Sequence, residues 1–186
     1  MKIIVAITGA SGAIYARRTL EHLLESKQVE RIALILSDTA KQVIEHEGER
    51  RPASERIELS DTHERFSSVA SGSAAWDAMI IVPASMGSVG RIAAGISQTL
   101  IERAADGLLK ERRRRVIVLR ETPYSLIHLR NMTTLTEAGA IILPASPSFY
   151  SNPETILQAV DTVVERIMAH IGIKAPHYEF IGHEGK

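Results

Sequence analysis

The chain has 186 residues, the length expected of one compact domain. Hydrophobic residues make up 45% of it and charged residues 24%, which excludes a disordered chain, a coiled coil and a collagen-like fibre. The 22 Lys and Arg residues balance the 22 Asp and Glu residues, which argues against general affinity for nucleic acid or an anionic membrane. The absence of cysteine excludes disulfides, a thiolate nucleophile and a metal held by cysteine.

The beginning of the sequence has the pattern of a strand rather than of a targeting segment. Met1 is followed by Lys2 and a short apolar run, unlike a signal peptide. The longest apolar runs of the chain are too short to span a bilayer. We therefore expect a soluble, cytoplasmic protein with no membrane segment.

Five short aliphatic runs, most followed by a helical pattern, predict strands that are buried on both faces. These strands are predicted at 2–8, 31–36, 78–82, 115–119 and 140–143. Helices are predicted at about 14–24, 39–47, 86–109, 127–137 and 153–171. The last of these is expected to have Asn152 as its N-cap and Pro153 as its first residue. The charge-rich stretch 48–66 predicts an irregular surface excursion.

The alternation of strands and helices predicts an α/β fold with a parallel sheet and helices on both faces. In such folds a ligand binds outside the carboxyl ends of the strands. The polar and glycine-rich segments of this chain follow the predicted strands, and we expect them to meet at this edge. We assign residues 1–172 to a single domain and residues 173–186 to a carboxyl-terminal tail.

Three of the segments that follow strands offer chemistry for an anionic ligand. Gly9–Gly12 allows a tight turn with backbone N–H groups facing an anion, or is simply a strand-to-helix connection. Ser85 and Ser88 present donors to a phosphate or to the polar edge of a flavin, or cap a helix. Arg120 and Glu121 could bind an anion and accept a proton, or form a local ion pair.

Further polar side chains are candidates for a phosphate site. Arg103 and Lys110 lie seven residues apart and face the same side of a predicted helix, while the adjacent run 112–115 is interpreted as solvated surface. Tyr150 lies just before the last helix, in a plausible place for binding an anion. Arg166 flanks the apolar stripe of that helix and could reach a ligand, a neighbouring subunit or only solvent.

Several other chemistries lack their motifs. The seven histidines have no spacing typical of a metal site, so we assign no metal. Ser11 has no matching hydrolase elbow or triad. A short-chain nicotinamide reductase would need a tyrosine with a lysine four positions later, and no tyrosine here has one.

The order and spacing of these motifs, over about residues 2–171, resemble the flavin prenyltransferases, the UbiX-like proteins formerly labelled aromatic acid decarboxylases. No single motif carries this resemblance. The matching segments are TGASGA at 8–13, LSDTAKQVIEHE at 36–47, SGS at 71–73, PASM at 83–86, ERAADGLLKERR at 102–113, LRETPYSLIHLRNM at 119–132 and PASPSFYSNPETI at 144–156.

The resemblance implies a three-layer Rossmann-like, flavodoxin-like domain that binds reduced FMN at the subunit interfaces of a homo-oligomer, typically a dodecamer. The implied reaction joins a dimethylallyl group from dimethylallyl monophosphate to the flavin N5 atom and then to its C6 carbon, without a metal. Its product, prenylated FMN, would serve a separate UbiD-like decarboxylase. The tail at 173–186 would then pack on a neighbouring subunit.

The resemblance also implies roles for individual residues. Ser11, near the flavin N5 atom, and Glu121 match catalytic positions. The positions that match FMN contacts are Gly9, Ala10, Ser11, Ser37, Ser85, Met86, Gly87, Ser88 and Arg120. The positions that match the pocket for the prenyl phosphate are Lys110, Tyr150 and Arg166, with Glu47 and Arg103 as supporting matches.

The chain departs from the family pattern at two positions in this set of segments. Ala84 stands where the family commonly has Cys, and Gly87 stands where it commonly has Lys, which removes one positive charge from the rim of the pocket.

The alternative function is an FMN-dependent cysteine decarboxylase of the phosphopantothenoylcysteine type, which shares the broad fold. That class needs a catalytic histidine early in the chain, whereas His22 lies inside a predicted helix. A non-enzymatic flavin carrier would leave the predicted phosphate-binding residues without a role.

Overall fold

The computed structural model describes residues 1–64, 67, 69 and 74–174. Within them the strands are β1 (Lys2–Ile7), β2 (Arg31–Leu36), β3 (Ile57–Asp61), β4 (Ala78–Ala84), β5 (Arg114–Leu119) and β6 (Ile141–Pro144). The helices are α1 (Ala13–Glu25), α2 (Asp38–His46), α3 (Met86–Ala93), α4 (Leu100–Lys110), α5 (Leu126–Glu137) and α6 (Ile156–Ile171). All strand pairs are parallel, and the strands lie side by side in the order β3-β2-β1-β4-β5-β6.

Two apolar layers cover the sheet, one on each face. Successive residues of a strand point to opposite faces, so β1 supplies Val5 to one layer and Ile4 to the other. The first layer packs against α1 and α6 through residues such as Leu20 and Ile167. The second lies under α3, α4 and α5. The predicted α/β fold with helices on both faces is confirmed.

The sheet has one strand more than the five that the sequence predicts. The prediction of an irregular excursion at 48–66 is wrong over β3, which pairs with β2 from Ile32↔Ile57 to Leu36↔Asp61. This edge strand has polar residues on both faces, and Leu59 is exposed. Its backbone hydrogen bonds to β2 form without the continuous aliphatic pattern on which a buried strand is recognised.

Two helix predictions also need correction. The segment 86–109 is not one helix, because it is interrupted after Ala93 and resumes at Leu100. The last helix begins at Ile156, not at Pro153, because Thr155 is its N-cap and forms a capping box with Gln158. The proposed N-cap, Asn152, instead has φ 50° in the preceding loop.

The basic run at 112–115 is not simply solvated surface, as the sequence analysis expects. Arg115 is only 5% exposed, and burial lowers the pKa of its guanidinium. The last three arginines of the run donate hydrogen bonds to backbone carbonyls of other segments. Their acceptors are Trp76 for Arg113, Ile171 for Arg114, and Leu108 and Ala138 for Arg115. These side chains therefore tie the amino end of β5 to the segments around it.

Candidate functional site

The turn that follows β1 brings the first predicted site residues to the carboxyl edge of the sheet. A Cβ atom on Gly9 would lie 2.5 Å from Cγ2 of Thr39, so only glycine lets α2 approach the turn this closely. Gly12 has φ 106° and is the N-cap of α1. Ala10 is buried, whereas Ser11 is exposed at the tip. The predicted tight turn is present and presents Ser11 to the outside.

The amino end of α1 is capped by a carboxylate from the protein itself. Glu47, the C-cap of α2, accepts hydrogen bonds from Gly12 N at 2.9 Å and from Ala13 N at 2.7 Å. A negative group is favourable here because the first N–H groups of a helix have no partner within it. The sequence predicts that these N–H groups face a ligand anion, but both already donate hydrogen bonds to Glu47.

Glu47 is ionised at neutral pH in this environment. Its burial acts to raise its pKa, but hydrogen bonds from Gly12, from the Ser11 hydroxyl and from Ala13, together with the charge of Arg120, outweigh burial and lower the pKa below its ordinary value. The result is a fixed carboxylate beside a serine hydroxyl at the tip of the turn. Such a carboxylate can hold the serine hydroxyl in one orientation towards a bound molecule.

Arg120 brings the end of β5 to the same turn. Its Nε donates a hydrogen bond to the Ser11 carbonyl oxygen at 3.2 Å. Glu121 instead accepts a hydrogen bond from Thr122 N at 2.9 Å. The local ion pair between Arg120 and Glu121, the alternative considered from sequence, is not formed in the described part of the chain. The arginine side chain therefore reaches across towards β1, and the carboxylate of Glu121 stays at the surface edge.

Thr8, which the sequence analysis does not assign to the site, joins the end of β1 to the end of β4. Its side chain is 1% exposed, donates to Pro83 O at 3.0 Å and accepts from Ser85 N at 2.7 Å. A hydroxyl directly after a fully aliphatic strand was the available signal for this role. The contact fixes the position at which α3 begins.

Ser85 to Ser88 form the first turn of α3. Ser85 is its N-cap and accepts a hydrogen bond from Ser88 N, and the two hydroxyl oxygens lie 3.1 Å apart. Gly87 is exposed. The side chain of Met86 packs into the core, so only its backbone faces this edge.

Ser37 occupies the corresponding place after β2. It is the N-cap of α2, where its hydroxyl accepts a hydrogen bond from Ala40 N at 3.1 Å, and its own N–H donates to Ile7 O at 3.0 Å. The strand order makes β2, β1, β4 and β5 neighbours. The predicted FMN-contacting residues therefore collect along four adjacent strand ends, together with Glu47 and Glu121.

The predicted phosphate-binding residues do not all lie at this edge. Lys110 ends α4 and is followed within four residues by the first residue of β5, so it lies towards the opposite, amino edge of the sheet. Six residues of strand separate the two edges by roughly 20 Å. Arg103 is exposed on the same helix. One chain therefore does not bring Lys110 to the strand ends where Ser11 and Arg120 meet.

Tyr150 and Arg166 lie at the β6 side of the molecule. Tyr150 is 73% exposed in the loop between β6 and α6. Arg166 lines a groove of about 330 Å³ between β6 and α6, together with Ser148 and His170. Burial and the charge of Arg166 both lower the pKa of His170. This groove opens at the edge of the sheet, where another subunit could complete it.

Large apolar side chains are exposed on the segments that follow β5 and β6. We refer to them as the exposed apolar group; they are Tyr124, Leu126, Ile127, Leu129, Phe149, Tyr150, Ile156 and Leu157. Apolar exposure on this scale is typical of a surface that another protein chain covers.

The described residues include no group of three or more His, Asp or Glu side chains that could hold a metal ion. None of the helices in the described ranges has the length and apolar character needed to cross a bilayer. Two predicted features cannot be placed: the motif at 71–73, and the tail beyond residue 174, lie outside the described residues.

Comparisons with known proteins agree on one family. The profile of the Flavoprotein family matches residues 1–172. The flavin prenyltransferase UbiX of Thermoplasma acidophilum is 46% identical over 176 residues, which cover 93% of this chain and 96% of the relative.

Solved structures give the same result. A dodecameric FMN-dependent UbiX-like decarboxylase from Escherichia coli superposes with a TM-score of 0.90 at 38% identity, over 98% of this chain and 100% of that one. AnUbiX in complex with FMN and dimethylallyl pyrophosphate gives a TM-score of 0.86 at 36% identity, over 96% of this chain and 98% of that one. A mutant PPC decarboxylase gives 0.61 at only 14% identity, over 79% of this chain and 82% of that one, a likeness of fold alone.

Proposed function

Because this chain belongs to the Flavoprotein family and, within it, to the UbiX-like flavin prenyltransferases, we propose that it transfers a dimethylallyl group from dimethylallyl monophosphate to reduced FMN. The observation that carries the proposal is the convergence of Ser11, Glu47 and Arg120 at one turn, beside the hydroxyl-rich start of α3. The relative solved with FMN and a dimethylallyl donor supports the choice of both substrates. The cysteine decarboxylase alternative has only the likeness of fold behind it.

The described residues fit FMN as the prenyl acceptor. Backbone and hydroxyl donors at the ends of four strands suit the polar edge and the phosphate of a flavin. The residues that would hold it are Gly9, Ala10, Ser11, Ser37, Ser85, Met86, Gly87, Ser88 and Arg120. When bound in its reduced state, FMN supplies the nucleophilic N5 atom and an electron-rich face for the allylic cation.

Cations of the protein stabilise the departure of the phosphate. Breaking the bond between the allylic carbon and the phosphate oxygen places negative charge on the leaving group, and fixed positive charges favour that transition state. Arg120 is already held in place by its hydrogen bond to Ser11 O. Lys110, Tyr150 and Arg166, with Arg103, complete the proposed phosphate pocket.

Joining the dimethylallyl group to N5 releases one proton, and closing the ring releases a second from C6 while the alkene takes one up, so the site needs groups that both give and accept protons. Glu47 is ionised and receives hydrogen bonds from the first turn, so it can hold the Ser11 hydroxyl in a defined orientation. Glu121 is half-buried at the edge of the site and can accept a proton, as can the departing phosphate. We assign proton transfer to Ser11 and Glu121, with Glu47 orienting Ser11.

The complete site needs more than one subunit. Lys110 lies towards the amino edge of its own sheet, while Ser11 and Arg120 lie at the carboxyl edge, so a pocket that contains all three takes Lys110 from a neighbour. The exposed apolar group provides a surface for such contacts. A homo-oligomer, and by analogy with the E. coli structure a dodecamer, follows. A cytoplasmic location, the domain boundary at residue 172 and the link to a UbiD-like decarboxylase stay predictions.

The test is anaerobic incubation of the purified protein with reduced FMN and dimethylallyl monophosphate, followed by mass spectrometry of the extracted flavin. We expect a flavin that is heavier by one prenyl unit. The Glu121→Gln variant should bind FMN but form this product more slowly. An unchanged flavin mass, with reduced FMN shown to be bound, would overturn the proposed transferase activity.

A further inference from the structure

Arg91 links the first turn of α3 to a buried carboxylate of α4. Its Nε donates to Oε1 of Glu102, and its Nη2 donates to the Ser88 hydroxyl oxygen at 3.2 Å. Its Nη1 lies 3.5 Å from the point where a Cβ atom on Gly87 would stand. The guanidinium therefore covers the position at which the resemblance leads one to expect a lysine, and touches the segment proposed to bind FMN.

The carboxylate that holds Arg91 is firmly fixed. Glu102 is 1% exposed and accepts hydrogen bonds from Gln98 N and Thr99 N, both at 2.9 Å, as part of the capping box of α4. Burial acts to raise the pKa of Glu102, but the Arg91 hydrogen bond, these two backbone bonds and the Arg91 charge together lower it. Glu102 is thus ionised at neutral pH, and its hydrogen bond from Nε holds the Arg91 guanidinium beside Ser88.

The position of Arg91 decides which hydrogen bonds the hydroxyls of Ser85 and Ser88 can form. The hydroxyls of Ser85 and Ser88 carry two protons, and one of them lies in the hydrogen bond between the two oxygens. Arg91 cannot take the other, because a guanidinium only donates. No other acceptor within the described residues is bonded to either hydroxyl. One hydroxyl proton is therefore left to point out of the cluster.

We propose that Arg91 is a positioning residue that acts through Ser88, making the Ser85–Ser88 hydroxyl pair a hydrogen-bond donor to an acceptor atom of bound FMN. Arg91 donates to the Ser88 oxygen, and its positive charge polarises that hydroxyl and strengthens the free proton of the pair as a donor. The chemistry favours a carbonyl oxygen or a ring nitrogen that carries negative charge, as reduced flavin does. This inference rests on the proposed function, because it requires that FMN binds at this edge.

The first measurement is the Kd of FMN, oxidised and reduced, for the wild type and for Arg91→Met. Because a hydrogen bond to a charged group is stronger than one to a neutral group, we expect the Kd of reduced FMN to rise about tenfold, which is about 1.4 kcal/mol, with a smaller rise for oxidised FMN. The matched control is Arg31→Met, because Arg31 is also half-exposed and pairs with Glu58 at the amino end of β2. Its Kd should equal that of the wild type. Equal Kd values for Arg91→Met and the wild type would overturn the inference.

Loss of Arg91 leaves Glu102 without its counter-charge, and the single variant could unfold for that reason alone. The double variant Arg91→Met/Glu102→Gln removes both charges and keeps an amide oxygen for the capping box of α4. It should fold, as shown by circular dichroism, and still bind reduced FMN about tenfold more weakly. A folded double variant with wild-type affinity would contradict the proposed role.

A cycle with Ser88→Ala separates positioning from general stability. If Arg91 acts through Ser88, the Arg91→Met change should weaken FMN binding in the wild-type background and have no further effect in Ser88→Ala. If the losses of FMN binding free energy from Arg91→Met and Ser88→Ala add in full in the double variant, Arg91 acts by another route and the inference is overturned. If the wild type itself binds no FMN, the proposed function fails, which is a different outcome from failure at Arg91.

Discussion

At the scale of single residues, Glu47 does two things at once: it caps α1 and orients Ser11. The resemblance gave it only a supporting place in the substrate pocket. Its two backbone hydrogen bonds show that its first role is at the β1–α1 turn. A separation of about 35 residues between a turn and its capping carboxylate leaves no local sequence signal, so this contact could be found only from the fold.

Glu47→Gln should lower the free energy of unfolding by about 1 kcal/mol at pH 7, because a charged group at a helix amino terminus is lost. The folded pKa of Glu47 is lowered, so its contribution is complete above the ordinary pKa of 4.5 and is lost as the pH falls through the folded pKa. Urea denaturation at pH 7 and at decreasing pH below 4.5 measures this. The difference between the variant and the wild type should shrink on acidification.

The control is Glu45→Gln, because Glu45 is exposed on the same helix. That change should leave the stability within about 0.5 kcal/mol of the wild type at every pH. A pH-independent loss in Glu47→Gln would show that the packing of the side chain matters rather than its charge.

Gly9→Ala tests the close approach of α2 to the first turn. The new Cβ atom would lie 2.5 Å from Thr39 Cγ2 and 2.6 Å from Thr39 Cβ, so truncating Thr39 to Ser would not relieve the clash. We expect a loss of about 1–3 kcal/mol in the free energy of unfolding, the usual result of overpacking. Chemical denaturation measures this loss, with Gly87→Ala as the control. A Cβ atom at Gly87 would lie at an ordinary contact distance of 3.5 Å from Nη1 of Arg91. That control should be neutral or up to about 1 kcal/mol more stable, since alanine favours a helix.

At the scale of elements, the pattern of aliphatic residues predicted the central strands and missed the edge strand β3. β1 and β4 are buried on both faces, so nearly every position in them is aliphatic and their limits could be read closely from the sequence. β3 has one face open to water and pairs on one side only, and its five residues resemble a loop in composition. The break between α3 and α4 was missed although the sequence carries its signals: Gly95, with φ 70°, follows the end of α3, and Thr99 and Glu102 form the capping box that begins α4.

Packing between α1 and α6 is reinforced by an ion pair that no sequence pattern revealed. Arg18 donates to both carboxylate oxygens of Asp161, from Nε and from Nη2, each at 2.7 Å. The hydrogen bond to Asp161 is the main cause that raises the pKa of Arg18, although burial opposes it. The two side chains are 21% and 22% exposed, so solvent screens them only in part.

We expect a double-mutant cycle with Arg18→Met and Asp161→Asn to give a coupling of about 1–2 kcal/mol in the free energy of unfolding, since the pair is bidentate and partly buried. The same cycle on Arg31 and Glu58, which are 47% and 52% exposed, should give less than about 0.5 kcal/mol. Urea denaturation of the four proteins of each cycle provides the values. Equal couplings for the two pairs would contradict the argument from burial.

At the scale of the whole molecule, one chain does not bring all of the predicted site residues together. The sequence predicted that polar residues follow the strands and collect at one edge, and the positions predicted to contact the flavin do so because parallel strands end together. It also placed Lys110 in the same pocket, on the strength of a resemblance to proteins that assemble. Within the chain, α4 carries Lys110 towards the other edge, because a helix that connects two parallel strands must return to the amino end of the next strand. Contacts between subunits would reconcile the two placements, as the proposed function requires.

Complementation between two inactive variants tests this shared site. Lys110→Met removes a cation near the amino edge of the sheet, and Glu121→Gln removes a carboxylate at the carboxyl edge, so each variant alone should form little prenylated flavin. In hybrid oligomers made by co-expression, each shared site takes Lys110 from one chain and Glu121 from another. Such a site is intact when the chain that supplies Lys110 carries only the Glu121→Gln change and the chain that supplies Glu121 carries only the Lys110→Met change. Random mixing then restores about a quarter of the sites, because each of the two positions is intact with even odds.

Mass spectrometry of the flavin measures the recovery, with mixtures of differently tagged Lys110→Met chains as the control. Activity no higher than that control would mean that both residues come from one chain, against the edge-to-edge placement in the fold.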